Sequence, residues 1–224
     1  DIADSTKTLD VDGGTIKLDG NYPVGSNNVA LGDAALASGS LSGGDNTAIG
    51  FQALTTNTSG TVNTAVGGDA LRYNTTGGNN ASLGVNALKQ NTSGSYNTGI
   101  GRSALQSNTT AAANTAVGYQ ALTTNTTGGD SAAFGYQAAQ SNTTGSYLTA
   151  IGRQALYNNT TSSENTAVGY QAMYNMSSTG DANKSTAVGY KAGYTSTHNV
   201  DAFGSQALYS NTTGVLSVAM GREA

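Results

Sequence analysis

Residues able to do covalent chemistry are few in this chain and poorly placed for it. The only histidine is His198, and there is no cysteine. A Ser-His-Asp triad would have to pass through that one residue, which reads as an exposed loop histidine. Glu164 and Glu223 are the only glutamates and lie several repeats apart, whereas glycoside hydrolysis needs paired carboxylates at a fixed separation. Asp10, Asp12 and Asp19 gather near the start but lack the ligand spacing of an EF-hand loop. Gly128-Gly129 precedes no helix and no Lys-Ser/Thr pair, so it is not a phosphate loop. The expectation is no catalytic residue, no cofactor, no metal and no enzyme. One column of residues is suggestive. Tyr119, Tyr136, Tyr170 and Tyr190, and likewise Arg102, Arg153 and Arg222, each follow a glycine of the same motif. Such a Tyr/Arg column can stack sugars or bind a surface polymer, or it is simply a variable outer face.

That column belongs to a repeat. Twelve copies of a motif that reads roughly Asn-Thr-Ala-Val-Gly-x-x-Ala-Leu run through the chain, most of them followed by a polar turn of the Asn-Thr-Thr-Gly kind. The marker glycine falls at Gly32, Gly50, Gly67, Gly84, Gly101, Gly118, Gly135, Gly152, Gly169, Gly189, Gly204 and Gly221. Seven successive spacings, from Gly50 to Gly169, are 17, and the others are 18, 20, 15 and 17. A fixed short period means stacked units sharing one continuous core. It is too short for a helix-turn-helix repeat. Thr-Ala-Val-Gly alternates with period two and is β-rich, so Thr and Val point one way and the flanking Asn and Ala the other. A second short strand is expected over Ala-Leu, with Asn-Thr-Thr-Gly closing the turn. The result is an all-β solenoid of about twelve coils. At about 4.8 Å per coil it makes a rod of roughly 53 Å.

Composition agrees. The 224 residues include 31 Gly and 3 Phe, no Trp, and only 10% charged residues. Large apolar side chains are too few for a globular core, and a strict apolar register argues against disorder. A net charge of −4 speaks against nucleic acid as a partner. No run of roughly 18 apolar residues exists to insert into a membrane.

Two before each marker sits a tiny residue, including Ala48, Ala65, Ala116, Ala150, Ala167 and Ala187. A column of alanine lets a second surface come close. These residues are therefore expected at a subunit interface, the alternative being that they fill a very thin core. A single rod buries little area, so an oligomer is expected.

The strings Asn63-Thr-Ala-Val-Gly67, Asn114-Thr-Ala-Val-Gly118 and Asn165-Thr-Ala-Val-Gly169 resemble the head repeats of trimeric autotransporter adhesins. Asn114 to Leu122 also looks like the Asn-Thr-Ala-Val-Gly-Tyr-Gln-Ala-Leu repeats of tail-fibre-like proteins from phages and environmental bacteria. The resemblance implies a left-handed parallel β-roll, a homotrimer, and attachment to a cell-surface glycan or protein receptor. It places the protein outside the cell, on a virion tail fibre or a bacterial surface. The chain departs from the adhesin pattern in carrying Thr at the first apolar position and a longer turn.

Two units are expected: residues 1–24, a hairpin that caps or connects, and residues 25–224, the repeat. The chain begins at Asp1 and stops inside its twelfth copy, so it is expected to be a processed form or segment of a longer protein. The 20- and 15-residue coils after Gly169 and Gly189 carry Tyr174, Tyr190, Tyr194 and His198. Irregular coils map to exposed loops, which makes these four the candidate recognition residues. An ice-binding solenoid is the competing reading of the Thr column, although Ala81, Ala132 and Asp201 interrupt it. A purely structural filament is another.

Overall fold

The computed structural model describes residues 27–176 and 183–224, so the expected hairpin of residues 1–24 lies outside the described residues. Within them the chain is an all-β parallel solenoid without helix. Twelve short strands form one sheet in chain order, from Val29–Leu31 through Thr115–Val117 to Ser217–Met220. Each pairs with its neighbour at the equivalent position one repeat on. Val66 meets Leu83 and Val117 meets Phe134, as the spacing predicts.

The strand expected over Ala-Leu does not form. Those residues lie in turns, and among the described residues the only other sheet joins three two-residue strands, Asn175–Met176, Thr195–Ser196 and Ser210–Asn211. The backbone explains this. A regular coil holds three left-handed corners, five residues before the marker glycine and two and four after it. Around Gly118 they are Ala113 (φ 58°), Gln120 (φ 55°) and Leu122 (φ 50°). An extended strand cannot contain such residues. The turn asparagines, a residue type that tolerates this conformation, are not among the left-handed residues.

The inward face carries Asn and Ala; the outward face carries Thr and the larger apolar residue. One coil's interior is Asn63, Ala65, Ala70, Leu71 and Asn74, all 0% exposed. Ala48, Ala65, Ala116, Ala150, Ala167 and Ala187 are likewise sealed inside their own chain. A side chain with no exposed surface has none to offer a partner. The subunit-interface assignment for this column is therefore corrected: these alanines fill a thin core.

Buried asparagines do what large apolar side chains do elsewhere. In one ladder the Nδ2 of Asn74, Asn91, Asn108, Asn125, Asn142 and Asn159 each donates to the Oδ1 of the asparagine one coil earlier, at 2.8–3.1 Å. In the other, the backbone N–H of Asn63, Asn80, Asn97 and Asn114 donates to the preceding asparagine's Oδ1. The two ladders meet on one atom. Both Asn63 and Asn74 donate Nδ2 to the Gly77 carbonyl at 2.9 Å. This contact ties the start of a coil to its end.

Marker glycines set how tightly coils stack. Gly84 has φ +135°, and a Cβ there would lie 2.7 Å from the Gly101 carbonyl oxygen. Neither the conformation nor the space admits another residue.

Two substitutions test this account by chemical unfolding. Asn108→Ala strips the donor from the buried Asn91 Oδ1 and should cost about 1–3 kcal/mol. Ala113→Gly, at an exposed left-handed corner, should stabilise by up to about 1 kcal/mol.

Candidate functional site

Beyond the bend at each marker glycine the chain enters its turn segment, and side chains one, two and five residues on form outward columns. In the first column Tyr119 stacks on Tyr136 with centroids 5.2 Å apart, and Tyr170 stacks on Tyr190 at 5.4 Å. Arg153 fills the gap, its guanidinium carbon 5.3 Å from the Tyr136 ring and 6.0 Å from the Tyr170 ring. In the third column Tyr157, Tyr174, Tyr194 and Tyr209 stack at 4.9, 5.2 and 5.0 Å, nearly parallel. The coil repeat imposes this geometry: identical residues one coil apart lie at about the 4.8 Å strand spacing, close enough for offset stacking.

Between the two tyrosine tracks runs a glutamine ladder. Gln137, Gln154 and Gln171 each donate Nε2 to the Oε1 of the glutamine before, at 2.9–3.0 Å. Lys191 takes the glutamine's place in the next coil. Its Nζ lies 5.5 Å from the Tyr190 ring, 5.3 Å from Tyr194 and 6.0 Å from Tyr209, so it touches both tracks.

Of the four recognition residues expected from the sequence, three come together. Tyr174 and Tyr194 share one stack, and Tyr190 lies across Lys191 from them. His198 stands apart, its Nδ1 2.9 Å from the Thr197 hydroxyl. The expectation that the Tyr/Arg column stacks sugars meets an obstacle: along each run the inner ring faces are taken by neighbouring rings and by Arg153. Ring edges and phenols remain, and no tyrosine hydroxyl among the described residues is hydrogen-bonded to the chain. The glutamine ladder and Lys191 were missed, although Gln recurs two after the marker at 52, 120, 137, 154, 171 and 206.

In the polar turns the asparagines point inward. Asn57, Asn74, Asn91 and Asn125 are buried, and the exposed stripe consists of Ser59, Thr76, Ser93 and Thr127. The glycosylation-acceptor string at Asn57-Thr-Ser59 is thereby closed off in the folded chain. Among the described residues no three His, Asp or Glu side chains gather into a metal site. Compared with known proteins, the chain matches no family model, no curated sequence and no solved structure.

The stack perturbs one phenol. Burial, and then the neighbouring Tyr157, Tyr194 and Tyr170, push the Tyr174 pKa above the ordinary 10.0. The folded state thus keeps its proton longer than the unfolded chain. Stability should be intact below pH 10.0 and fall as pH rises through the higher folded value. Tyr174→Phe keeps the stack and should flatten that alkaline loss, read as unfolding midpoint against pH.

Proposed function

We propose that this chain is a rigid rod segment of an extracellular attachment fibre, of the phage-tail or bacterial-adhesin kind, and that copies associate side by side as a homotrimer. The observation that carries the reading is the unpartnered outward face of the twelve-stranded sheet. The residue before each marker glycine is apolar and points to solvent. Leu83 is 50% exposed, Phe134 41% and Ile151 42%. In register over eleven steps of about 4.8 Å, these side chains make an apolar stripe roughly 53 Å long. Soluble monomers rarely leave so long a contiguous patch uncovered. Beside it stands the Thr column, whose hydroxyls make no hydrogen bond among the described residues, so a partner could be met by both apolar and polar contacts. Threefold assembly and a left-handed winding are what the resemblance to adhesin heads adds. A fibre of this kind needs no covalent chemistry, because repetition turns weak sites into avid ones.

The same flat face is what an ice-binding solenoid would present. The breaks at Ala81, Ala132 and Asp201 count against that reading, and thermal hysteresis of the purified chain would establish it.

Sedimentation equilibrium tests the proposal. The expected mass is three times the 22.3 kDa chain. Ile100→Asp with Ile151→Asp, two outward positions, should yield monomers that keep a β-type circular dichroism spectrum. A parent chain that sediments as a monomer would overturn the assembly.

A further inference from the structure

The tyrosine face has a charge pattern that rod-building does not use. The described part of the chain carries seven cationic side chains, and six of them, all but Lys184, lie in the three columns one, two and five residues after the marker. Arg72 and Lys89 are neutralised by Asp69 at 3.2 and 2.9 Å, and Arg222 lies 3.2 Å from Glu223. Arg102, Arg153 and Lys191 have no carboxylate within salt-bridge reach among the described residues. Between Asp69 and Glu223 these columns hold no acidic residue at all, whereas Asp130 and Glu164 stand at the corner five residues before the marker. Among the described residues a chain of net charge −4 thus concentrates its unpaired positive charge on its most aromatic surface.

We propose that the face built from Tyr136, Arg153, Tyr170, Lys191, Tyr194 and Tyr209 binds a linear acidic glycan laid parallel to the rod axis. This rests on the attachment reading and names its ligand class. Three features select the ligand. Every rung offers groups for a hydroxyl-rich chain: unbonded phenols from the tyrosines, and the second N–H of each glutamine, since the ladder uses only one. Rungs recur at 4.9–5.4 Å, comparable to the advance of one pyranose in an extended chain. Arg153 and Lys191 lie two coils apart, about 10 Å along the axis, which suits one carboxylate per disaccharide. The buried ring faces direct contact to ring edges and hydroxyls rather than to stacked sugars. Single-stranded nucleic acid fits less well, because bases need the open aromatic faces that the stack withholds.

Column chemistry supplies a variant that does not endanger the fold. Arg153→Tyr with Lys191→Gln places in each column the residue its neighbours already carry, completing the tyrosine stack and the glutamine ladder. Binding of the full chain is measured against immobilised hyaluronan, an alternating uronate and N-acetylhexosamine polymer, beside neutral hydroxyethylcellulose and single-stranded polythymidine. The parent should bind hyaluronan, lose it as salt rises, and bind the other two far more weakly. The double variant should bind hyaluronan about tenfold or more weaker, with an unchanged circular dichroism spectrum. Failure of the parent to bind hyaluronan, equal affinity for either control polymer, or an undiminished double variant would each overturn the proposal. Sedimentation of the same samples separates the outcomes: a trimer that ignores hyaluronan removes this site and leaves the assembly standing.

Discussion

A buried amide has to be hydrogen-bonded, and in this molecule its partner lies one coil away. That requirement governs the rest. Most regular coils put two asparagines into an interior with no water to solvate them, Ser131 and Leu148 replacing one of the pair in two coils, and leaving such a group unpaired costs about 1–3 kcal/mol. The asparagine oxygens are satisfied only if the coil above places a donor at the same height, an amide in one ladder and a backbone N–H in the other, as Asn108 does for Asn91 and Ser131 for Asn114. Their shared acceptor, the carbonyl that closes each coil, fixes where the turn must end, as Gly77 does for Asn63 and Asn74. Extra length is taken up between these contacts: the 18-residue first coil still brings the Asn46 N–H to Asn28 Oδ1 at 2.8 Å, and its added residue falls between Asn28 and the Gly43 carbonyl to which Asn28 donates. The run of 17-residue spacings follows the ladder from Asn57 to Asn159, the one contact that the longer coils lack.

The backbone bears the cost of this register. Putting Leu122, Gln120 and Ala113 into left-handed conformations opposes the intrinsic preference of each by about 1–2 kcal/mol. The strain persists because ladders and stacked backbone on both sides leave the chain no other path. Irregularity begins where the ladder ends. Asn159 is the last member of its ladder, and its Oδ1 has no partner. The position above it belongs to Met176, which is buried instead, and it is there, at Asn175–Met176, that the second sheet starts. Backbone pairing takes over the stacking that amides provide elsewhere. The 20- and 15-residue coils fall in this region, where no asparagine ladder dictates coil length.

How much of this is legible in the sequence depends on which residue carries the information. The period, the parallel register and the glycine column are, because each is a repetition and repetition needs no knowledge of environment. The identity of the inner face is not. Asn and Ala alternate with Thr and Val, and hydrophobicity alone would turn Val117 inward and Asn114 outward; the reverse holds because a narrow coil has room for alanine and a use for amides. For the same reason the alanine column, which suggested a subunit interface, is core, and Asn57, which suggested a turn tip, is buried. Local propensity also misplaces the left-handed corners, since nothing in Leu or Gln announces them. For the candidate site, Tyr174, Tyr190 and Tyr194 stand out from their spacing. Their mutual stacking and the role of Lys191 between them do not, because both depend on how far the chain turns between the first and fifth residues after the glycine.

Two outer surfaces therefore follow from one inner rule. Because amides and alanines fill the interior, the larger apolar side chains are displaced outward, and a solenoid with this core presents a hydrophobic stripe as a matter of geometry. Because equivalent residues one coil apart lie within stacking distance, any aromatic recurring on a turn becomes a continuous track. The stripe varies little in character along the rod: Ile49, Leu83, Val117, Ile151 and Val188 are interchangeable as apolar contacts. The tracks do vary, from Phe51 and Val85 in early coils to tyrosines and cations in later ones. A surface that must meet copies of itself gains from uniformity, whereas a surface that must distinguish a ligand gains from local difference. The uniform stripe suits assembly for that reason, and the graded tyrosine face suits recognition, with each coil's core indifferent to what its turns display.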